Sequence, residues 1–203
     1  MPPGTAIPEK RAPAPLELVQ RFVNSVDLES GEDELGGPEE LRAWLAEREL
    51  IGGDERVSRA DFERAIDVRE GLRALLMANN GMEADEEQVA RLNRAAGRAG
   101  VRVVFEPGSE PRLAPEARGV DGAIGQLLAI VAGAVEQGRW GRLKACPRDV
   151  CRWAFFDHSK NHSGRWCQMD VCGNIEKARA FRERKRAEEP VAGRVGATRS
   201  CGP

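Results

Sequence analysis

Apolar residues at Leu16, Val19, Phe22, Val23 and Val26 recur at steps of three and four, which places them on one face of an α-helix. An acidic, glycine-rich stretch over 29–37 ends that helix. Pro38 suits the first turn of a second helix over 38–49, with Leu41, Trp44 and Leu45 on its buried side. Ser58 fits an N-cap, and Asp61 three residues later is a shorter version of the capping-box glutamate. The third helix runs from there to Asn79-Asn80-Gly81 and turns Phe62, Ala65, Ile66, Arg69, Leu72 and Leu76 inward, with Leu75 beside them. A fourth covers 86–97.

The period then changes to two. Val101, Val103 and Phe105 alternate with Arg102 and Val104, a Pro107-Gly108 turn follows, and a partner strand is expected near 112–114. Residues 119–137 are almost entirely apolar and predict a fifth helix at the centre of the bundle. The N-terminal part is therefore mainly α, a helical domain with one small β-hairpin. Asn24, Asp27 and Arg69 sit at or beside the apolar stripes. They are either a hydrogen-bond network clamping helices one and three, or a ligand pocket in which Arg69 receives an anion.

Beyond residue 140 the pattern is set by cysteine. Cys146 and Cys151 enclose four residues, fifteen follow, and Cys167 and Cys172 again enclose four. Two tight, matched pairs in a reducing compartment point to metal rather than to a disulfide framework. Thiolates suit zinc, and four of them complete its tetrahedral shell, so the expected ion is structural, not catalytic. His158 and His162 lie between the pairs and either could replace a cysteine, but with four sulfurs available they read as surface residues. Trp153, Phe155, Phe156 and Trp166 read as packing around the ion, with base stacking as the alternative. Cys201 reads as a non-ligating residue of the tail.

Charge divides the chain at the same point. Residues 1–141 hold 17 Lys and Arg against 26 Asp and Glu, whereas residues 142–187 hold 12 against 5. From Asn174 onward, good helix formers continue without Gly or Pro until Pro190, and Gly173-Asn174 offers a turn and an N-cap. Ile175, Ala178 and Phe181 are expected to pack on the zinc knuckle. Lys177, Arg179, Arg182, Arg184, Lys185 and Arg186 cover the rest, and together with Arg165 they form the footprint of a polyanion-binding surface. The alternative is a solvated helix or one docked on the acidic domain.

Charged residues at 32% and hydrophobic ones at 41% describe a chain able to bury a core, with a formal net charge of −2. The apolar run around 127–135 is broken by Gly133 and reads as too short to span a bilayer. The proline-rich start over 1–15 predicts a disordered lead-in without a secretory signal, and hence a cytoplasmic protein. No nucleophile elbow, P-loop, zinc-protease or dinucleotide motif occurs, so no enzyme activity is expected.

The segment from Cys146 to Asn174 resembles the CGNR zinc finger. Phe155-Phe156-Asp157-His158-Ser159, Arg165-Trp166-Cys167 and Cys172-Gly173-Asn174 stand at its motif positions, while Ile175 replaces the arginine that names the motif. Gly164 replaces the first of a usual arginine pair. Upstream, Phe22-Val23-Asn24-Ser25-Val26-Asp27, Trp44 and Val68-Arg69-Glu70 resemble the ABATE domain that precedes this finger. The resemblance implies a bacterial stress-linked transcription regulator, with DNA binding or RNA binding by the finger. The expected plan is a lead-in over 1–15, an ABATE-like domain over 16–140, a zinc-ribbon or treble-clef-like finger with its basic helix over 141–188, and a flexible tail over 189–203. Expected partners are double-stranded DNA and a small-molecule effector, with a homodimer because one small finger buries little surface on DNA.

Overall fold

A computed structural model describes residues 10–188; residues 1–9 of the expected lead-in and the tail over 189–203, with Cys201, lie outside the described residues. The chain divides into two compact units, Met1–Cys167 and Gln168–Pro203. In the first, helices α1 (Leu16–Val23), α2 (Pro38–Glu47), α3 (Arg59–Asn79) and α4 (Glu86–Ala99) precede the antiparallel hairpin of β1 (Val101–Val104) and β2 (Arg112–Pro115). Helix α5 (Gly119–Glu136) and a second hairpin, β3 (Leu143–Ala145) with β4 (Ala154–Phe156), complete it. The second unit holds a five-residue turn, Met169–Gly173, and α6 (Asn174–Glu188).

The helices start where local chemistry satisfies their first amides. Ser58 Oγ accepts from the Asp61 amide at 3.2 Å, and Asp61 Oδ2 accepts from the Ser58 amide at 2.8 Å, closing the capping box at α3. At α4 the cap is one-sided: the Asp85 carboxylate accepts from the Gln88 amide at 3.1 Å.

Helices α3 and α5 share the centre of the helical unit, α5 packing against α1, α3, α4 and both strands of the first hairpin. Helix α3 packs against α1, α2, α4, α5 and β3, and it buries Val68, Leu72 and Leu76 together with Arg69 and Arg73. Arg69 faces inward as expected and Arg73 joins it; ion pairs with Asp33 and Glu70 are what allow both to be covered. At Gly71 a Cβ would collide with the Leu92 side chain and the Gln88 carbonyl, so glycine sets the close approach of α3 and α4. Helix α5 buries Val120, Ala123, Ile124 and Leu127 but leaves Val135 exposed. By length and composition its 18 residues could cross a membrane, contrary to the expectation from the broken apolar run. Those four residues instead join the core of the unit.

Leu143, Ala145, Ala154 and Phe156 of the second hairpin belong to the same hydrophobic cluster as α1 and α3. The β3–β4 hairpin is thus built on the helical domain.

Candidate metal centre

The turn between β3 and β4 carries the first cysteine pair. Cys146 follows β3 and its amide donates to the Trp153 carbonyl at 2.9 Å; the Cys151 and Arg152 amides both donate to the Arg148 carbonyl. Arg152 takes a left-handed φ of 46°, which turns the chain back into β4. Cys167 ends the first unit, and Cys172 lies in the Met169–Gly173 turn, where the Gly173 amide reaches back five residues to the Gln168 carbonyl. The ligand atoms of the four cysteines lie within 4.8 Å of one another, and the Cys151 and Cys167 sulfurs are 3.6 Å apart.

A tetrahedral zinc–thiolate shell requires sulfurs roughly 3.8 Å apart, from bonds of about 2.3 Å. The donor set fits. Without a cation the cluster favours a single thiolate, because hydrogen bonds from the Cys151 and Cys167 thiols pull Cys146 far below the ordinary thiol range while those two thiols are pushed above it. A divalent ion reverses this by neutralising the crowded charge. Cys146, Cys151, Cys167 and Cys172 would hold one structural zinc. Neither His158 nor His162 belongs to the cluster; both are exposed. Trp153, Phe155 and Phe156 are buried and Trp166 is half-buried, which is the packing arrangement.

The strands beneath the knuckle are fixed by polar side chains of the helical domain. Asn24 Nδ2 donates to the Ala154 carbonyl at 2.8 Å while its Oδ1 accepts from the Ala154 amide at 2.7 Å. Gln20 Nε2 donates to the same carbonyl at 3.1 Å. Arg73 reaches the Arg152 carbonyl at 3.0 Å and the Val23 carbonyl at 2.6 Å, and pairs with Glu70. Burial pulls its pKa down, opposed by the Glu70 charge. At the end of α3, Asn79 Nδ2 donates to the Trp140 and Leu143 carbonyls, and Asn80 Nδ2 to those of Ala145 and Arg165. These bonds pair backbone groups that burial would otherwise leave unsatisfied.

Asp157 organises the loop that returns to the third ligand. Its carboxylate accepts from Lys144 Nζ at 2.8 Å and from the Ser159 and Gly164 amides. Lys144 fills its remaining donors with the His162 and Gly164 carbonyls. Burial favours the neutral acid, but the hydrogen bonds from Lys144 and Ser159 outweigh it and hold Asp157 well below the usual carboxylate range.

The three residues singled out on the apolar stripes have separate partners. Asn24 holds β4, as above. Asp27 Oδ1 accepts from the Glu29 and Ser30 amides and shapes its own loop. Arg69 binds Asp33 through two nitrogens at 2.7 and 2.9 Å, and also Ser25 and Glu70. Gln20, Arg73, Asn79, Asn80 and Lys144 were not singled out from sequence, and Asp157 was noted only as part of the motif segment over 155–159. Asn79-Asn80 carried a signal, but it read as a helix stop.

On α6, Lys177, Arg179, Arg182, Arg184, Lys185 and Arg186 are all exposed, as is Arg165 in the preceding loop. Arg179 pairs with Glu183 at 3.0 Å. The expected packing of Ile175, Ala178 and Phe181 is not found: all three are exposed. Nor does Asn174 act as a cap. The chain is already helical from Met169, so Asn174 instead donates from Nδ2 to the Asp170 carbonyl.

A helical domain carrying a four-cysteine finger with a basic helix defines a zinc-finger protein of regulator type. Residues 16–137 match the family described as "Putative stress-induced transcription regulator", ABATE, and the chain belongs to that family. Residues 142–185 match the CGNR zinc finger. A search of curated proteins finds no significant match.

Proposed function

We propose that the protein is a zinc-dependent nucleic-acid-binding regulator of transcription, reading double-stranded DNA through α6 and acting as a homodimer in the cytoplasm. The observation that carries this reading is the row of six exposed cations on α6, a helix that starts directly from the turn holding the fourth zinc ligand. Each Lys or Arg set against a phosphate releases a counterion, so such a helix gains affinity for any nucleic acid at low salt. Residues 141–188 serve as the reader and residues 16–140 as the sensing domain.

In this reading the effector would take a groove in the first unit. This groove of about 680 Å3 is lined by Glu70, Arg73 and Met77 of α3, Met82, and Asp149 and Arg152 of the knuckle loop. A small molecule there would touch the helical domain and the cysteine loop at once, which supports a sensing role. No enzyme activity is assigned.

Selection from a random pool of duplexes, with RNA in parallel, tests the proposal. Enrichment of a duplex sequence is expected, with affinity falling steeply as salt rises. No duplex binding at low salt, or no effect of Arg182→Ala with Lys185→Ala, overturns it. The second reading is an RNA-binding or protein-interaction module with zinc used only for shape. Exposed Ile175 and Phe181 on the same helix favour a protein partner under that reading.

A further inference from the structure

The β1–β2 hairpin is a two-stranded sheet, and among the described residues no third strand pairs with the other edge of β1. Its register, Val101↔Pro115 and Val103↔Leu113, puts Val101, Val103 and Leu113 on one face. All three are exposed, Val103 at 52%, and Phe105 beyond the strand is exposed at 75%. A strand edge with free backbone groups beside an exposed apolar face is a template for strand addition.

The sequence of this edge is complementary to itself. Two copies of the segment 102–106, the end of β1 and the two residues that follow it, laid antiparallel with Val104 opposite Val104 place Val103 opposite Phe105 twice, and Arg102 opposite Glu106 twice. The first is a β-branched–aromatic pair on the exposed apolar face, and the second pairs opposite charges on the other face. Shifting the register by two in one direction sets Arg102 against Val104; shifting it by two in the other sets Arg102 against Gly108 and Glu106 against Val104. Only the centred register pairs Arg102 with Glu106. Glu106 already receives Arg112 of its own chain at 2.8 Å. A carboxylate accepts from more than one donor, so a second arginine adds to that pair. Such a dimer has a two-fold axis through Val104, the commonest symmetry of soluble oligomers.

We infer that the free edge of β1 binds a second copy of this chain, forming a four-stranded antiparallel sheet across a two-fold dimer centred on Val104. This deepens the homodimer reading given under Proposed function and does not depend on what α6 binds.

Sedimentation of the zinc-loaded full chain over a range of concentrations tests it, with far-UV circular dichroism to check folding. The wild type is expected to show a monomer–dimer equilibrium. Arg102→Glu brings like charges together twice and should weaken dimerisation roughly tenfold or more. Arg102→Glu combined with Glu106→Arg restores the opposite pairing and should recover most of the loss. Val103→Asp changes an exposed residue, so the chain should remain folded and become monomeric. A dimer indifferent to these variants, or a double variant no better than Arg102→Glu, overturns the β1 interface while leaving a dimer in place. A chain monomeric at every concentration, or one whose edge recruits only a different protein, overturns both.

Discussion

Asn24, just past the end of α1, and Ala154, on β4 of the finger, are 130 positions apart and exchange two hydrogen bonds. One asparagine side chain therefore substitutes for a neighbouring strand and pairs both the amide and the carbonyl of Ala154. Replacing it with alanine leaves the buried Ala154 amide unsatisfied, at a cost of about 1–3 kcal/mol, while the carbonyl keeps only its bond from Gln20. Asn24→Ala should lower stability by about 2 kcal/mol or more in urea unfolding. It should also raise hydrogen exchange at the Ala154 amide. Unchanged exchange there would contradict the clamp.

Lys144 and Asp157 form a buried ion pair whose other donors and acceptors are also filled. Removing one member strands the other, at about 3–5 kcal/mol. Lys144→Met should therefore destabilise the chain more than Asn24→Ala.

The same pair predicts a pH dependence. Because the folded protein holds Asp157 below its unfolded value of 3.8, its charge stabilises the fold above that pH, and the contribution fades as pH falls through the folded pKa. The stability gap between wild type and Asp157→Asn should accordingly be full at neutral pH and shrink below about pH 4. A gap that grows on acidification would reverse this sign.

Zinc closes the cysteine cluster, so the purified protein should carry one equivalent of zinc per chain. Chelation should release it and leave the thiols around Cys146 unable to ionise together. Order in the two cysteine loops, 146–152 and 167–172, should then be lost, read as faster proteolysis of the knuckle, while the α1–α5 core and the hairpin packed on it remain. Cys151→Ser should reproduce the chelated state.

Ile175 is exposed immediately after the fourth ligand turn. Ile175→Arg restores the residue that names the finger motif and should cost little stability. If α6 contacts phosphate, the variant should bind duplex DNA more tightly at low salt. Its salt slope should steepen by about one. An unchanged slope would mean that the motif arginine does not meet the backbone at this position.

Much of this was legible in the sequence because it is local. The capping box at Ser58 and Asp61 needs only four adjacent residues. The hairpin at Val101–Pro115 shows as a change of period around a Pro-Gly turn. What could not be read was how charge is buried. Arg69 stood on the inward stripe of α3 with no partner in view, and Arg73 gave no signal; Asp33 and Glu70, which pair with them, are recognisable as partners only once the chain has folded.

The four cysteine ligands were determined by the sequence alone. Two matched pairs close to each other constrain a metal shell whatever surrounds them, because coordination chemistry is short-ranged and specific. Only the tertiary structure decided how the knuckle is supported. Gln20, Asn24, Arg73, Asn79 and Asn80 bond to backbone atoms of residues that have no pattern of their own, 61 to 134 positions away. A carbonyl is the same on every residue, so no choice of side chain at Ala154 or Ala145 could announce its partner. That pairing exists only once the helices have packed.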